Sequence, residues 1–254
     1  MRQGKLICMW VLFTVFMTCL SFGEEAVKPE RLFYAGNDYY EKGDYAKAIA
    51  EYEKIIASGY ESAYVYYNLG NAYFRAGRPG KAMLNYERAK RLMPGNADID
   101  ANYKFVRAKT RGPVLTRRGV WEWRPLRRYY ESFTVDGLLW ISSALYVLAA
   151  VIFAVTIYRR YAARRFIIAA LLVLLCAVCN LFVVWHKAGG IGREAVIIAP
   201  RAEARYGPFD PATVFFKLHE GMKVTVLGEK GDWYKVRRAD GKKGWIHGED
   251  AELI

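Results

Sequence analysis

The chain has 254 residues, 54% of them hydrophobic, and a formal net charge of +13. That is enough chain for two small domains beside other segments, with more apolar content than an ordinary soluble domain carries. The surplus charge lies in 111–136 and 158–165, beside two apolar runs, while 24–110 and 193–254 are each nearly neutral; nucleic-acid binding, which needs a basic folded surface, is therefore excluded from the reading.

Arg2 and Lys5 precede an apolar run from Leu6 to Leu20, followed by Ser21-Phe22-Gly23. A basic start, a short hydrophobic stretch and small residues at the cleavage site predict a signal peptide over 1–23. A lipoprotein reading through Cys19 is disfavoured by the bulky Phe16-Met17-Thr18 before it.

Gly36 and Gly70, Tyr39 and Tyr73, Gly43 and Gly77, Ala48 and Ala82, and Tyr52 and Tyr86 recur within 29–96 at one spacing of 34 residues. Small residues permit close helix approach, each Tyr fills the gap between paired helices, and the glycines of Lys42-Gly43-Asp44 and Ala76-Gly77-Arg78 break helix from helix. The period resembles that of the tetratricopeptide repeat, with Leu69, Gly70, Tyr73, Ala82, Ala89 and Pro94 at signature positions; Ile55 and Tyr60 depart from it. The repeat domain is expected over 24–110, with 97–109 as its capping helix. In this architecture the first helix of each unit lines a concave protein- or peptide-binding groove, here Phe33, Asn37, Tyr40, Tyr67, Asn68, Asn71, Phe74 and Arg75. Side-chain amides can hold a peptide backbone and aromatics can anchor apolar side chains. Asn37 and Asn68 stand where carboxylate-clamping repeats carry Asn, but Phe33 and Asp98 replace two of the clamp's cations, so carboxylate capture is not expected.

Residues 111–136 form a basic, aromatic juxtamembrane segment, with Trp121, Trp123 and Tyr129 among Arg124, Arg127 and Arg128. Trp, Tyr and Arg at head-group level describe a stretch lying on a bilayer or docking on a membrane protein, and Pro125 interrupts any single helix there.

Charge-free runs at 137–157 and 166–185 predict two transmembrane helices, since 20 residues at about 1.5 Å rise span roughly 30 Å. The intervening 158–165 carries four Arg. With 24–136 exported, this loop is cytoplasmic and obeys the positive-inside rule, and both flanking domains lie outside. Arg117, Arg118, Arg124, Arg127 and Arg128 oppose that orientation, which the signal sequence decides. Ser142 and Ser143 lie as far from the outer end of one helix as Asn180 from that of the other, predicting an interhelical polar contact. Trp140 and Trp185 are assigned to the outer aromatic belt, Tyr158 and Tyr161 to the inner one. Cys176 and Cys179 spell CxxC within the second run, where thiols without a base are packing residues. The soluble portions contain no cysteine and need no disulfide.

A linker at 186–194 leads to short β-branched runs at 195–199, 223–227, 233–237 and 244–247, with Asp240-Gly241 as a hairpin signal. The motifs Ala204-Arg205-Tyr206-Gly207-Pro208, Leu218-His219-Glu220-Gly221, Trp233-Tyr234-Lys235-Val236 and Gly244-Trp245-Ile246 resemble a bacterial SH3 domain, implying a small β-barrel over 195–254. Tyr206, Trp233 and Trp245 form its candidate ligand surface, with peptidoglycan as the class of ligand that the resemblance implies.

His186, His219 and His247 have no metal-ligand spacing, and no phosphate loop or nucleophile elbow is present, so neither metal, cofactor nor catalysis is expected. The expected fold class is a multidomain membrane protein: an α-helical tetratricopeptide repeat domain, a two-helix transmembrane hairpin and a C-terminal SH3-like barrel. In order and length this resembles the BatE family of bacterial aerotolerance operons. That resemblance implies a multi-pass protein of the cytoplasmic membrane with both domains periplasmic. Its implied partners are Bat-type membrane proteins carrying von Willebrand A domains, in a complex serving stress tolerance. A cell-wall-binding sensor or anchor acting through the SH3-like domain is the alternative reading.

Overall fold

The computed structural model describes residues 28–110, 129, 132–158, 163–189 and 193–254. The signal segment, the five opposing Arg residues and residues 159–162 of the four-Arg loop lie outside the described residues.

Among the described residues five helices precede the hairpin: α1 Pro29–Glu41, α2 Tyr45–Ala57, α3 Ala63–Arg75, α4 Pro79–Leu92 and α5 Ala97–Lys109. The turn glycines Gly43 and Gly77 adopt φ of 77° and 75°, a left-handed conformation that costs glycine little. Asp44 caps α2 by accepting the Lys47 amide, and Asn96 caps α5 by accepting the amides of Asp98 and Ile99. The two helix pairs pack identically where the sequence repeats. A Cβ on Gly36 would stand 2.6 Å from Tyr52 Cε1, and one on Gly70 would stand 2.8 Å from Tyr86 Cε1. Helix and aromatic ring touch because no side chain separates them.

The first helices begin at Pro29, Ala63 and Ala97 and end at Glu41, Arg75 and Lys109, in register at the 34-residue period. The helix read as a cap therefore occupies the place of a third repeat's first helix. Lys104 stands at the position that Gly36 and Gly70 hold in the first two units.

Two long helices follow, α6 Val135–Tyr158 and α7 Ala163–Ala188. Both are long and apolar enough to cross a membrane, with mean hydropathies of 2.4 and 3.0 over their best windows. They pack against each other through Ser142, Ala149 and Thr156 on α6 and Ala170, Ala177 and Val184 on α7, each set spaced by sevens. Small residues at such a seam let the helix backbones approach. The outward faces leave Leu, Val and Phe side chains exposed, Leu171, Leu172, Val178 and Phe182 among them, an apolar surface far larger than water tolerates on a monomer.

The C-terminal region is an antiparallel sheet of seven strands: β1 Glu194–Ile197, β2 Arg201–Arg205, β3 Val214–His219, β4 Lys223–Lys230, β5 Trp233–Arg237, β6 Lys243–His247 and β7 Ala251–Leu253. Their order is β3-β2-β6-β5-β4-β1-β7. Gly241, at φ 91°, turns β5 into β6 as the Asp240-Gly241 signal predicts. Bulges at Ala204/Arg205 and Val226/Gly228 bend β2 and β4. Alternate residues meet in one core built on Ala202, Ala204, Leu218, Val236 and Ile246. The expected barrel is corrected in one respect: β3 and β7 do not pair, so the sheet stays open. The edge strand β7 is covered by the repeat helices instead. Arg88 donates to the Leu253 carbonyl at 2.8 Å and Arg91 to that of Ile254 at 2.7 Å, satisfying edge groups that would otherwise face solvent.

Candidate functional site

The first helices of the repeat build the same polar unit twice. Asn37 Oδ1 accepts hydrogen bonds from the Tyr52 hydroxyl at 2.7 Å and from Asn68 Nδ2 at 3.0 Å. One period later, Asn71 Oδ1 accepts from the Tyr86 hydroxyl at 2.6 Å and from Asn102 Nδ2 at 2.9 Å. Asn102 also donates to the Tyr67 hydroxyl at 2.8 Å. Each tyrosine reaches through the space left by its glycine, so the feature that closes the helix pair also orients the asparagine amide. Burial pushes the Tyr52 phenol up to about 12, against a lesser opposing pull from Asn68; it stays a neutral donor at physiological pH. Asn102 stands one period after Asn68, a place that the expectation of a capping helix leaves without a role.

Aromatic rings flank these amides. Phe33 packs 6.1 Å from Tyr34 and Tyr52, Tyr40 meets Tyr45 edge-on at 5.4 Å, and Tyr67 lies 6.1 Å from Tyr86. Phe74 meets Phe105 of α5 edge-on at 5.7 Å, and Phe105 is more than half exposed. Arg75 stacks over the Tyr45 ring and donates from Nε to its hydroxyl at 3.0 Å, keeping its guanidinium at the surface. Burial raises the Tyr40 phenol, with Arg75 pulling the other way. Asn37 and Asn71 accept through their carbonyl oxygens, and no described group takes up their Nδ2 donors or the Oδ1 acceptors of Asn68 and Asn102. Amide donors and acceptors between aromatic walls suit an extended peptide.

A second polar assembly joins the repeats to the sheet. Lys223 Nζ lies 3.1 Å from Glu87 Oε2 and 2.7 Å from Glu194 Oε2, and Glu87 Oε1 accepts from the Tyr103 hydroxyl at 2.7 Å. Burial works against the Lys223 charge, but the Glu87 and Glu194 carboxylates outweigh it and hold its pKa above the usual value. Arg88 pairs with Glu252 at 3.0 Å. Val196 and Ile254 of the sheet region belong to the same buried core as Met83 and Val106 of the repeats. None of these contacts was read from the sequence.

The SH3-like candidates separate. Tyr206 is exposed and stacks on Phe215 at 4.5 Å. Trp233 is buried, its ring 3.8 Å from that of His247, and offers no open face. Trp245 is half-buried beneath the Lys235 ammonium, 5.5 Å from its centroid. Within the hairpin, Ser142 Oγ donates to Asn180 Oδ1 at 2.9 Å, and Asn180 Nδ2 donates to the Tyr129 hydroxyl. Ser143, expected in the same contact, does not bond to Asn180; with Ser142, Tyr146, Leu174 and Ala177 it lines an apolar cleft of about 450 Å³ on the hairpin surface. Cys176 and Cys179 are free and exposed on the helix surface. Among the described residues no group of three His, Cys, Asp or Glu could hold a metal.

Residues 35–97 match the tetratricopeptide repeat family, and residues 211–252 match the bacterial SH3 domain family. The chain thus carries both domains, on either side of two membrane-length helices. No curated protein matches the chain. Repeats of this kind are interaction modules, and no enzyme family matches alongside them.

Proposed function

We propose that the protein is a non-enzymatic, membrane-anchored scaffold whose repeat groove holds an extended segment of a partner protein. The observation that carries this is the duplicated Asn–Asn–Tyr unit, which presents oriented amide groups beside Phe33, Tyr40, Phe74 and Phe105. The groove lacks cations at the positions of Phe33 and Asp98, which favours backbone and aromatic recognition over capture of a terminal carboxylate.

The two soluble domains make buried contacts although the hairpin separates them in sequence, which supports their lying on one side of the membrane. Taken with the signal segment, this side is the periplasm and the protein a multi-pass component of the cytoplasmic membrane. The resemblance to BatE proteins names the partners as Bat-type membrane proteins with von Willebrand A domains, in a complex serving aerotolerance. The test is co-purification of these proteins with the full chain from detergent-solubilised membranes. Phe74→Ala with Arg75→Ala abolishes recovery if the groove is the contact; undiminished recovery refutes it. A second reading, peptidoglycan binding, is favoured by exposed Tyr206 stacked on Phe215, and retention of the full chain on purified cell wall, lost in Tyr206→Ala, would support it.

A further inference from the structure

We infer that the SH3-like domain is an intramolecular partner of the repeat array, packing on α5 and holding it in place as a wall of the groove. The inference holds whatever the groove binds. It rests first on period: the bounds of α5 align with those of α1 and α3 at 34 residues, so α5 takes the place of a repeat's first, groove-lining helix.

A 13-residue helix is marginal alone, because nucleation is unfavourable and short helices recover little of its cost. The sheet domain docks on α4 and reaches the inner side of α5. Val106, 1% exposed, shares its core with Val196 and Ile254. The turn between β3 and β4 sits against the start of α4 and the end of α5: a Cβ on Gly221 would lie 3.0 Å from Thr110 Cγ2 and 3.1 Å from Met83 Cγ. Tyr103 is tied through Glu87 to Lys223 and through Lys223 to Glu194.

Successive turns of α5 therefore face two ways. Asn102 and Phe105 complete the groove with Asn71 and Phe74, while Tyr103, Val106 and Thr110 engage α4 and the sheet. Lys223 is a positioning residue: it touches no groove side chain and acts on the groove through Glu87, Tyr103 and the placement of α5. Loosening the sheet domain frees α5, and with it the donor that Asn102 gives to Asn71.

The test is hydrogen–deuterium exchange of the full chain in lipid nanodiscs. Lys223→Glu places a third carboxylate beside Glu87 and Glu194. Faster exchange is expected across 97–109 and across β1 and β7, with α1 and α2 unchanged. The charge exchange Lys223→Glu with Glu87→Lys restores an ion pair between the domains and returns α5 toward wild-type protection. Arg88→Ala with Arg91→Ala, which frees β7 without touching Tyr103, gives the same direction of change on α5. Unaltered α5 exchange in both interface variants, or loss of protection spreading equally to α1 and α2, overturns the inference.

Discussion

Glu220 on the β3–β4 turn accepts a hydrogen bond from the Gly80 amide at 2.8 Å, across 140 positions of sequence that contain the whole hairpin. Gly80 lies in the first turn of α4, where backbone amides lack intrahelical partners and the helix dipole favours a carboxylate. The glycine is required by the close approach: a Cβ would stand 2.6 Å from Glu220 Cγ and 2.9 Å from the Ile197 carbonyl oxygen.

Gly80→Ala is accordingly expected to destabilise the joined domains by about 1–3 kcal/mol through overpacking. Glu220→Gln keeps the shape but loses the charge at the helix terminus, for about 0.3–1 kcal/mol. Thermal unfolding of the detergent-solubilised full chain measures both. An alanine variant as stable as wild type would mean that the two domains do not dock through this turn.

The groove asparagines differ in what they hold. Asn71 accepts from both Tyr86, 1% exposed, and Asn102. Asn71→Ala strands a buried hydroxyl and is expected to cost about 1–3 kcal/mol, whereas Asn68→Ala removes a single half-buried donor at about 0.5–1.5 kcal/mol. Chemical denaturation ranks them. The reverse order would show that the duplicated unit is not organised by its tyrosines.

The period of 34 made the repeats legible because each glycine–tyrosine pair is a local packing solution, written twice. The helix pair was legible because each run is apolar without interruption over a membrane's thickness. Strand β2 was not, since its buried positions are Ala202 and Ala204, where reading by β-branched residues finds no signal. Tyr206 could be placed on the surface by its loop, but Trp233 could be assigned to the core only once β5 had paired with β6. In α5, Lys104 and Arg107 break the glycine–tyrosine pattern and hid a third repeat position behind a helix that still aligns at Asn102. The domain interface left no trace, because Glu87 and Lys223 belong to segments with no shared periodicity and meet only in three dimensions.

Inside the hairpin, Ser142 and Asn180 form a side-chain hydrogen bond between two helices. Such pairs in lipid contribute about 0.6–1.7 kcal/mol, because the separated helices find other partners. A double-mutant cycle with Ser142→Ala and Asn180→Leu, followed by detergent-induced unfolding, should return a coupling in that range. Zero coupling would leave Tyr129 as the sole described partner of consequence for Asn180.

Alkaline pH should unfold the repeat region cooperatively. Burial raises the Tyr52 phenol to about 12 and those of Tyr73, Tyr86 and Tyr103 higher still, with the Glu53 and Glu87 carboxylates adding to the effect at Tyr73 and Tyr103. The unfolded chain releases these protons near pH 10, at about the ordinary tyrosine value. Stability from these groups is therefore fully present below about pH 10 and falls as pH rises toward the native values, since the native state then binds more protons than the unfolded one. Each phenol adds a slope of up to about 1.4 kcal/mol per pH unit in that window. Phenolate absorbance followed together with helical circular dichroism checks this: the two should change in one transition, and Tyr86→Phe should make its pH dependence shallower by about one proton. Phenolate appearing progressively while the helices persist would mean that these hydroxyls are accessible in the native fold.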